Sequence, residues 1–201
     1  MLFKSVIASF IAMLTLAQGI YASTDVTSKQ VVGAFTTVTK ASASINVAFS
    51  GVSTGMSFTQ IQTVVTTVTT GFTAIITDVG SATTMLQNAH PLGPDDSDLV
   101  VNALLLFVKV HQDLLATVIA KHGILSQFFL GAPVAGVLRT LEAGVDAFAI
   151  VLIALIPSKG NEASAAFAKL KVSVESSITT YNQLCIPSLT YPTTMPICIN
   201  L

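Results

Sequence analysis

From Phe58 to Leu86 the apolar positions fall at Phe58, Ile61, Val65, Val68, Phe72, Ile75, Val79, Ala82 and Leu86, in alternating steps of three and four. That spacing lays them along one seam of an α-helix. The pairs Val64-Val65 and Ile75-Ile76 break the every-second-residue pattern that a strand would need. As one helix the stretch is about 43 Å long. Its other face is Thr and Gln, with Asp78 the one charge. Threonine is a mediocre helix former, and Gly71 and Gly80 each cost about 1 kcal/mol relative to Ala. Burial of the seam against partner segments must therefore hold the helix.

The same period recurs along the rest of the chain. Over 25–52 the seam is Val31, Phe35, Val38, Ser42, Ile45, Phe49 and Val52, with Ser42 its polar member. Gly51 and Gly55 end this helix, and Ser57 is placed to cap the next. After the breakers of 88–94, Asp95, Asp96, Ser97 and Asp98 mark a helix start, acids set against the helix dipole. The third helix is predicted to end at Lys121-His122-Gly123. Leu104, Val108, His111, Leu115 and Val118 lie on its seam, widened by Leu106, Phe107 and Leu114. Residues 124–133 read as an apolar connector, a short helix or a lid. The fourth helix, 134–156, carries Val134, Leu138, Leu141, Val145, Phe148, Leu152 and Leu155, and from Ala147 to Ile156 it is apolar on every side. A helix of that kind is expected at the centre of a bundle. Pro157 to Gly160 end it, and Asn161-Glu162 should cap a fifth helix over 161–184, with Ala163, Phe167, Leu170, Val174, Ser177, Tyr181 and Leu184 facing inward. Pro187, Pro192 and Pro196 exclude a long helix in the tail. The expected fold is all-α, a single bundle of about five amphipathic helices around an internal apolar tunnel.

Composition supports a packed core. The chain of 201 residues is 52% hydrophobic and only 9% charged, where about 25% charged is usual. A formal net charge of −1, a single Arg and no Trp leave a nucleic-acid partner without an electrostatic footprint. Residues 1–22 have the layout of a secretory signal: Lys4, an apolar run from Val6 to Leu16, and Ala22 before a cut at Ser23, with Ala17-Gln18-Gly19 a competing cut site. The run is short for a membrane span. The fourth helix is also discounted as a span, because Arg139, Glu142 and Asp146 precede its clean apolar run. The mature domain is then 23–201, with no transmembrane span. Secretion permits disulfides, and the two cysteines, Cys185 and Cys198, are expected to pair. Such a short loop contributes about 3 kcal/mol in the chain-entropy model. Neither cysteine has the Cys or His neighbours in sequence that a zinc site needs, so no metal site is assigned.

Catalytic signals are weak. Gly51-Val52-Ser53-Thr54-Gly55 matches G-x-S-x-G, but that elbow needs a strand before the serine and a sheet beneath it. A helical seam precedes it here, so Ser53 reads as part of a turn and no catalytic residue is assigned. Of the three histidines, His90 and His122 fall at predicted helix ends, where solvated His is ordinary. His111 interrupts an apolar seam. No cofactor motif is present. N-x-[ST] does not occur, and the Thr- and Ser-rich faces are open to O-linked sugar.

What stands out is apolar capacity. Eleven Phe and five Met occur in a chain without Trp. Phe35, Phe49, Phe58, Phe72, Phe107, Phe148 and Phe167 fall on inward faces. Broad faces of Phe and β-branched residues can enclose an apolar tunnel, with a few polar groups orienting a ligand. The candidate ligand-binding set is Phe35, Phe49, Phe72, Phe107, Phe148 and Phe167, with the polar seam positions Ser42, His111 and Ser177.

The order of a signal, a Val/Thr-rich first helix, a Thr-faced long helix, a Pro/Gly break before an acidic cap, and a last helix ending in Tyr181-Asn182-Gln183-Leu184-Cys185 resembles the fungal hydrophobic surface-binding protein A / cell-wall galactomannoprotein family. The resemblance covers nearly all of the mature chain. It implies a secreted, non-enzymatic, all-α protein that holds fatty acids or similar long-chain lipids in its bundle, adheres to hydrophobic surfaces and associates with the fungal cell wall. The chain lacks the long Ser/Thr-rich tail of wall-linked members, so release is expected over covalent attachment.

Overall fold

The computed structural model describes residues 25–200, and the expected signal segment, 1–22, lies outside the described residues. Five α-helices are found there: α1 Ser28–Ser50, α2 Phe58–Leu86, α3 Pro94–Gln127, α4 Gly131–Leu155 and α5 Gly160–Tyr181. Two short strands follow, β1 Leu184–Ile186 and β2 Ile197–Ile199.

Local chemistry explains the helix starts. Thr27 and Ser57 form capping boxes with Gln30 and Gln60: each hydroxyl accepts a backbone N–H three residues on, and each glutamine side chain returns the bond to the cap backbone. Pro94 opens α3, with Asp95 and Asp96 in its first turn. The Asn161-Glu162 cap does not form: α5 begins at Gly160 after a single 3-10 turn, Pro157–Lys159, and has no side-chain cap bond. The threonines of α2 are accommodated because their hydroxyls donate back to the carbonyl four residues earlier, as Thr63, Thr66, Thr67, Thr73 and Thr77 do at 2.9–3.0 Å.

The helices close into a ring. α1 packs against α2 and α3, α2 also against α4, α3 also against α5, and α4 and α5 against each other. Successive helices run in opposite directions. Ser28 of α1 bonds Asp96 of α3, and Ser42 meets His111, so these two run parallel. Phe35 near the start of α1 packs on Phe148 near the end of α4. Every inward seam thus faces a common axis. At the proximal end, where α1 begins, the Leu92 amide donates to the Leu155 carbonyl at 2.8 Å and ties the α2–α3 link to α4. At the distal end, where α3 stops, the β1–β2 hairpin folds over.

The structure corrects other expectations too: α5 stops at Tyr181, and Leu184 is exposed in β1 rather than facing inward on the fifth helix. α3 continues through Gly123 to Gln127, and residues 124–133 are no lid. The α3–α4 link is only residues 128–130, and Pro133 sits in the first turn of α4, where a missing amide N–H is harmless. The apolar stretch of α4 is not central: Ile150 is 72% exposed on the outside of the ring. Phe58 is 47% exposed at the start of α2, packed on Phe128 at the distal end rather than along the axis. The tail packs over the last turns of α3, with Gln127 bonding both backbone groups of Ser188. α3 has the length and composition of a membrane span, but its inward residues, including Leu104, Leu114 and Leu115, are buried in the bundle.

Candidate functional site

An apolar pocket lies on the bundle axis in the proximal half. All five helices line it: Ala34, Phe35 and Val38 of α1, Val79 and Ala82 of α2, Phe107 of α3, Val145 and Phe148 of α4, and Phe167 of α5. No polar atom contributes to its wall. Phe35 anchors an aromatic chain, 5.7 Å from Phe107 and 5.6 Å from Phe148, which in turn stands 6.2 Å edge-on to Phe167. The free space is about 20 Å³, room for roughly one water molecule. A larger guest therefore requires the aromatic rings to turn or the helices to part. Ala34 and Ala82 also border an outer groove with Gln30, Thr37, Asp78 and Ser81, so between α1 and α2 these two small side chains line both the pocket and the groove.

One helical turn deeper, Ser42 follows Val38 and His111 follows Phe107. Both are fully buried. The Ser42 hydroxyl donates to the Val38 carbonyl at 2.9 Å, and its oxygen lies 2.9 Å from His111 Nδ1. With the hydroxyl proton given to Val38, Nδ1–H donates to Ser42, and Nε2 is left as an acceptor with no partner. The ring packs edge-on against Phe72 at 6.2 Å and tilted against Phe107 at 5.3 Å. Burial without a counter-charge pushes the His111 pKa down to about 4, so the imidazole is neutral at physiological pH.

The other sequence candidates are dispersed. Phe35, Phe107, Phe148 and Phe167 line the pocket, and Phe72 reaches its deep end through His111. Phe49 is in the solid core of the distal half. Ser177 is buried, but its hydroxyl donates to the Ser173 carbonyl of its own helix at 2.9 Å. Gln112 bonds Ser173, and the Tyr181 hydroxyl donates to the Val118 carbonyl, so Ser177 lies about a turn past His111. Ser53 is exposed in the α1–α2 turn, after a helix rather than a strand.

A second polar cluster escaped the sequence reading. Because α3 continues past Gly123, His122 is a buried helix-interior residue rather than a solvated end. Its Nε2 is 3.2 Å from Ser126 Oγ and 3.7 Å from Cys185 Sγ, and its ring stacks edge-on against Tyr181 at 4.9 Å. Burial lowers its pKa as well. Cys185 does have a histidine neighbour, then, across a sequence gap that no local motif spans. Both sulfurs are joined in the Cys185–Cys198 disulfide, whose cysteines face each other across β1 and β2.

Known structures share this architecture. AFMP4P, solved in complex with palmitic acid, superposes with a TM-score of 0.69 at 17% identity, covering 77% of this chain and 99% of that one. Ligand binding domain 1 of the Penicillium marneffei MP1 protein, complexed with arachidonic acids, gives 0.66 at 15% identity, covering 76% and 95%. Domain 2 of the same protein, also with arachidonic acids, gives 0.65 at 14% identity, covering 76% and 90%. No curated protein sequence matches the chain. The sequence model for hydrophobic surface binding protein A matches residues 28–154, from the first residue of α1 almost to the end of α4. Those are the segments that supply eight of the nine pocket residues as well as Ser42 and His111, and by that match the chain belongs to the hydrophobic surface binding protein A family.

Proposed function

We propose that the protein is a secreted, non-enzymatic carrier that takes one long-chain fatty acid or similar lipid along the bundle axis. The observation that carries this reading is the axial pocket: five helices in a closed ring contribute to it, and every lining atom is apolar. An acyl chain gains about 0.8 kcal/mol per CH2 buried, so a long chain binds without a charged partner. The ligand enters between Ala34 and Ala82, displaces the Phe35, Phe148 and Phe167 rings, and extends its head toward His111. There a neutral imidazole with an unpaired Nε2 meets a carboxyl group, accepting from its acid form. Phe72 and Phe107 hold the ring in place. The structures bound to palmitic and arachidonic acids support the reading by sharing the fold.

Native mass spectrometry of the purified protein with palmitic acid tests the carrier role. One lipid per chain is expected, with uptake reduced when Ala82→Phe fills the passage between the groove and the pocket. No uptake at saturating palmitate overturns it.

A second role, adhesion to hydrophobic surfaces, is favoured by the family match and by the low charge of the chain. Secretion places both roles outside the cell, and the Thr-rich outer face of α2 suits contact with the cell wall. Depletion from solution by polystyrene beads tests the adhesive role.

A further inference from the structure

The hairpin register exposes a feature that the linear sequence hides. Leu184 pairs with Ile199, Cys185 with Cys198, and Ile186 with Ile197. Side chains alternate across a strand, so the two cysteines point one way, toward His122. Leu184, Ile186, Ile197 and Ile199 all point the other way, and all four are exposed. A hairpin on a folded core normally turns its apolar side inward. This one is inverted, with an aliphatic outer face held over a disulfide.

The adjoining α3–α4 turn breaks a second local rule. The Leu130 amide donates to the Leu125 carbonyl at 3.0 Å, and the Phe129 amide to the Ser126 carbonyl at 3.2 Å. This is a Schellman ending, whose left-handed position is normally glycine. Here it is Phe129, at φ 57°, with its ring 78% exposed. A large apolar side chain held in that conformation in water costs stability twice, through backbone strain and through hydration. Such outliers persist where they serve a function.

Charge is absent from the hairpin and from this turn. No Asp, Glu, Lys or Arg occurs in 41–77, 122–138 or 176–200, which hold the α1–α2 turn, the α3–α4 turn and the hairpin; the charges of the distal half, Asp113, Lys121, Arg139, Glu142 and Glu175, stand on the helices behind them. The outer face of the hairpin and the Phe129 turn therefore offer a charged partner or lipid headgroup no charge of their own, whereas an uncharged hydrocarbon surface meets four aliphatic side chains and a phenyl ring. We infer that the distal end, through the outer face of the β1–β2 hairpin and Phe129, is the element that docks on an uncharged apolar surface. This inference rests on the adhesive role and assigns it to one end of a folded bundle, independent of the axial pocket.

Adsorption isotherms on polystyrene beads test it. The variants are Phe129→Gly and the double substitution Ile186→Ser with Ile197→Ser, against an exposed-apolar control, Ile150→Ser, on the side of α4. Each distal variant should weaken adsorption at least tenfold, while the control changes it less than twofold. Wild-type adsorption should not fall as salt rises from 0.05 to 1 M, as roughly expected when no charge pair contributes. Phe129→Gly should fold at least as stably as the wild type, which separates lost docking from lost folding. All variants should take up palmitic acid as the wild type does. If the wild type adsorbs and both distal variants adsorb equally well, the assignment to this end fails. If the wild type does not adsorb at all, the adhesive role itself fails. A dimer by light scattering that Phe129→Gly or the hairpin variant dissolves would make the face a self-interface and overturn the proposal.

Discussion

At the scale of single residues, Ser42 and His111 are unequal partners. Ser42 also bonds its own helix, whereas His111 Nδ1 depends on Ser42 alone. Ser42→Ala strands a buried imidazole N–H, at a cost of about 1–3 kcal/mol. His111→Leu leaves the Ser42 hydroxyl satisfied by Val38 and should cost less than about 1.5 kcal/mol. Urea denaturation of the two variants checks this order. His111→Leu should nevertheless weaken palmitic acid binding by roughly five- to tenfold, the worth of one hydrogen bond, as titration calorimetry would read. Acid adds a further test. The His111 pKa is lowered from 6.5 to about 4 on folding, so the unfolded chain binds the extra proton first. The stabilisation is complete above pH 6.5 and is lost as pH falls toward 4, by about 3 kcal/mol from this group. The lowered His122 pKa acts in the same direction. Melting temperature should drop over that window, and His111→Leu should flatten most of the drop. His111 stood out in the sequence because a seam position was polar. His122 did not, because its burial comes from Tyr181 and the hairpin, far along the chain.

At the scale of the helix, glycine shows how context overrides propensity. A Cβ on Gly80 would meet no atom within 4 Å, whereas one on Gly71 would fall 2.7 Å from Ile45 Cγ1. Gly80→Ala should therefore stabilise by about 0.5–1 kcal/mol. Gly71→Ala forces α1 away from α2 or turns Ile45 out of its rotamer, and should destabilise by about 1–2 kcal/mol despite the same propensity gain. Thermal melts of the pair would separate the two effects. Nothing in the sequence ranks these glycines, since both lie off the seam of one helix. The α3 ending makes the same point. Lys121-His122-Gly123 is a sound local stop, yet Ile124 and Leu125 are buried in the next turn. Their burial, at about 1.5–3 kcal/mol each, outweighs the roughly 1 kcal/mol that a mid-helix glycine costs.

At the scale of the whole molecule, the ring of five helices makes binding and stability one problem. The axial pocket is nearly filled by Phe35, Phe107, Phe148 and Phe167, so a lipid must replace side-chain contacts with its own. Palmitic acid at a hundred times its Kd should stabilise the fold by about 2.7 kcal/mol, a melting shift of roughly 5–10 °C for a bundle of this size. Phe148→Ala should lower the stability of the free protein by about 3–5 kcal/mol and widen the lipid-induced shift, because the guest then fills a preformed cavity. Differential scanning fluorimetry with and without palmitate checks both.

The heptad-like steps determined the five helices, the inward faces apart from end positions such as Phe58 and Leu184, and the all-α class, because an apolar seam with helical period has one way to be buried. The capping pairs Thr27–Gln30 and Ser57–Gln60 determined two of the starts, because those contacts are local. The order of helices around the ring was not legible, since all five seams are similar in chemistry and any of them could pack on any other. Only the tertiary structure placed Phe107 and Phe148 in the pocket and Phe49 in solid core, set Ile150 outside, buried His122 beside a disulfide, and turned four aliphatic side chains of the tail outward. Those outcomes depend on which surfaces meet across long stretches of chain, a choice that the period of a single helix does not contain.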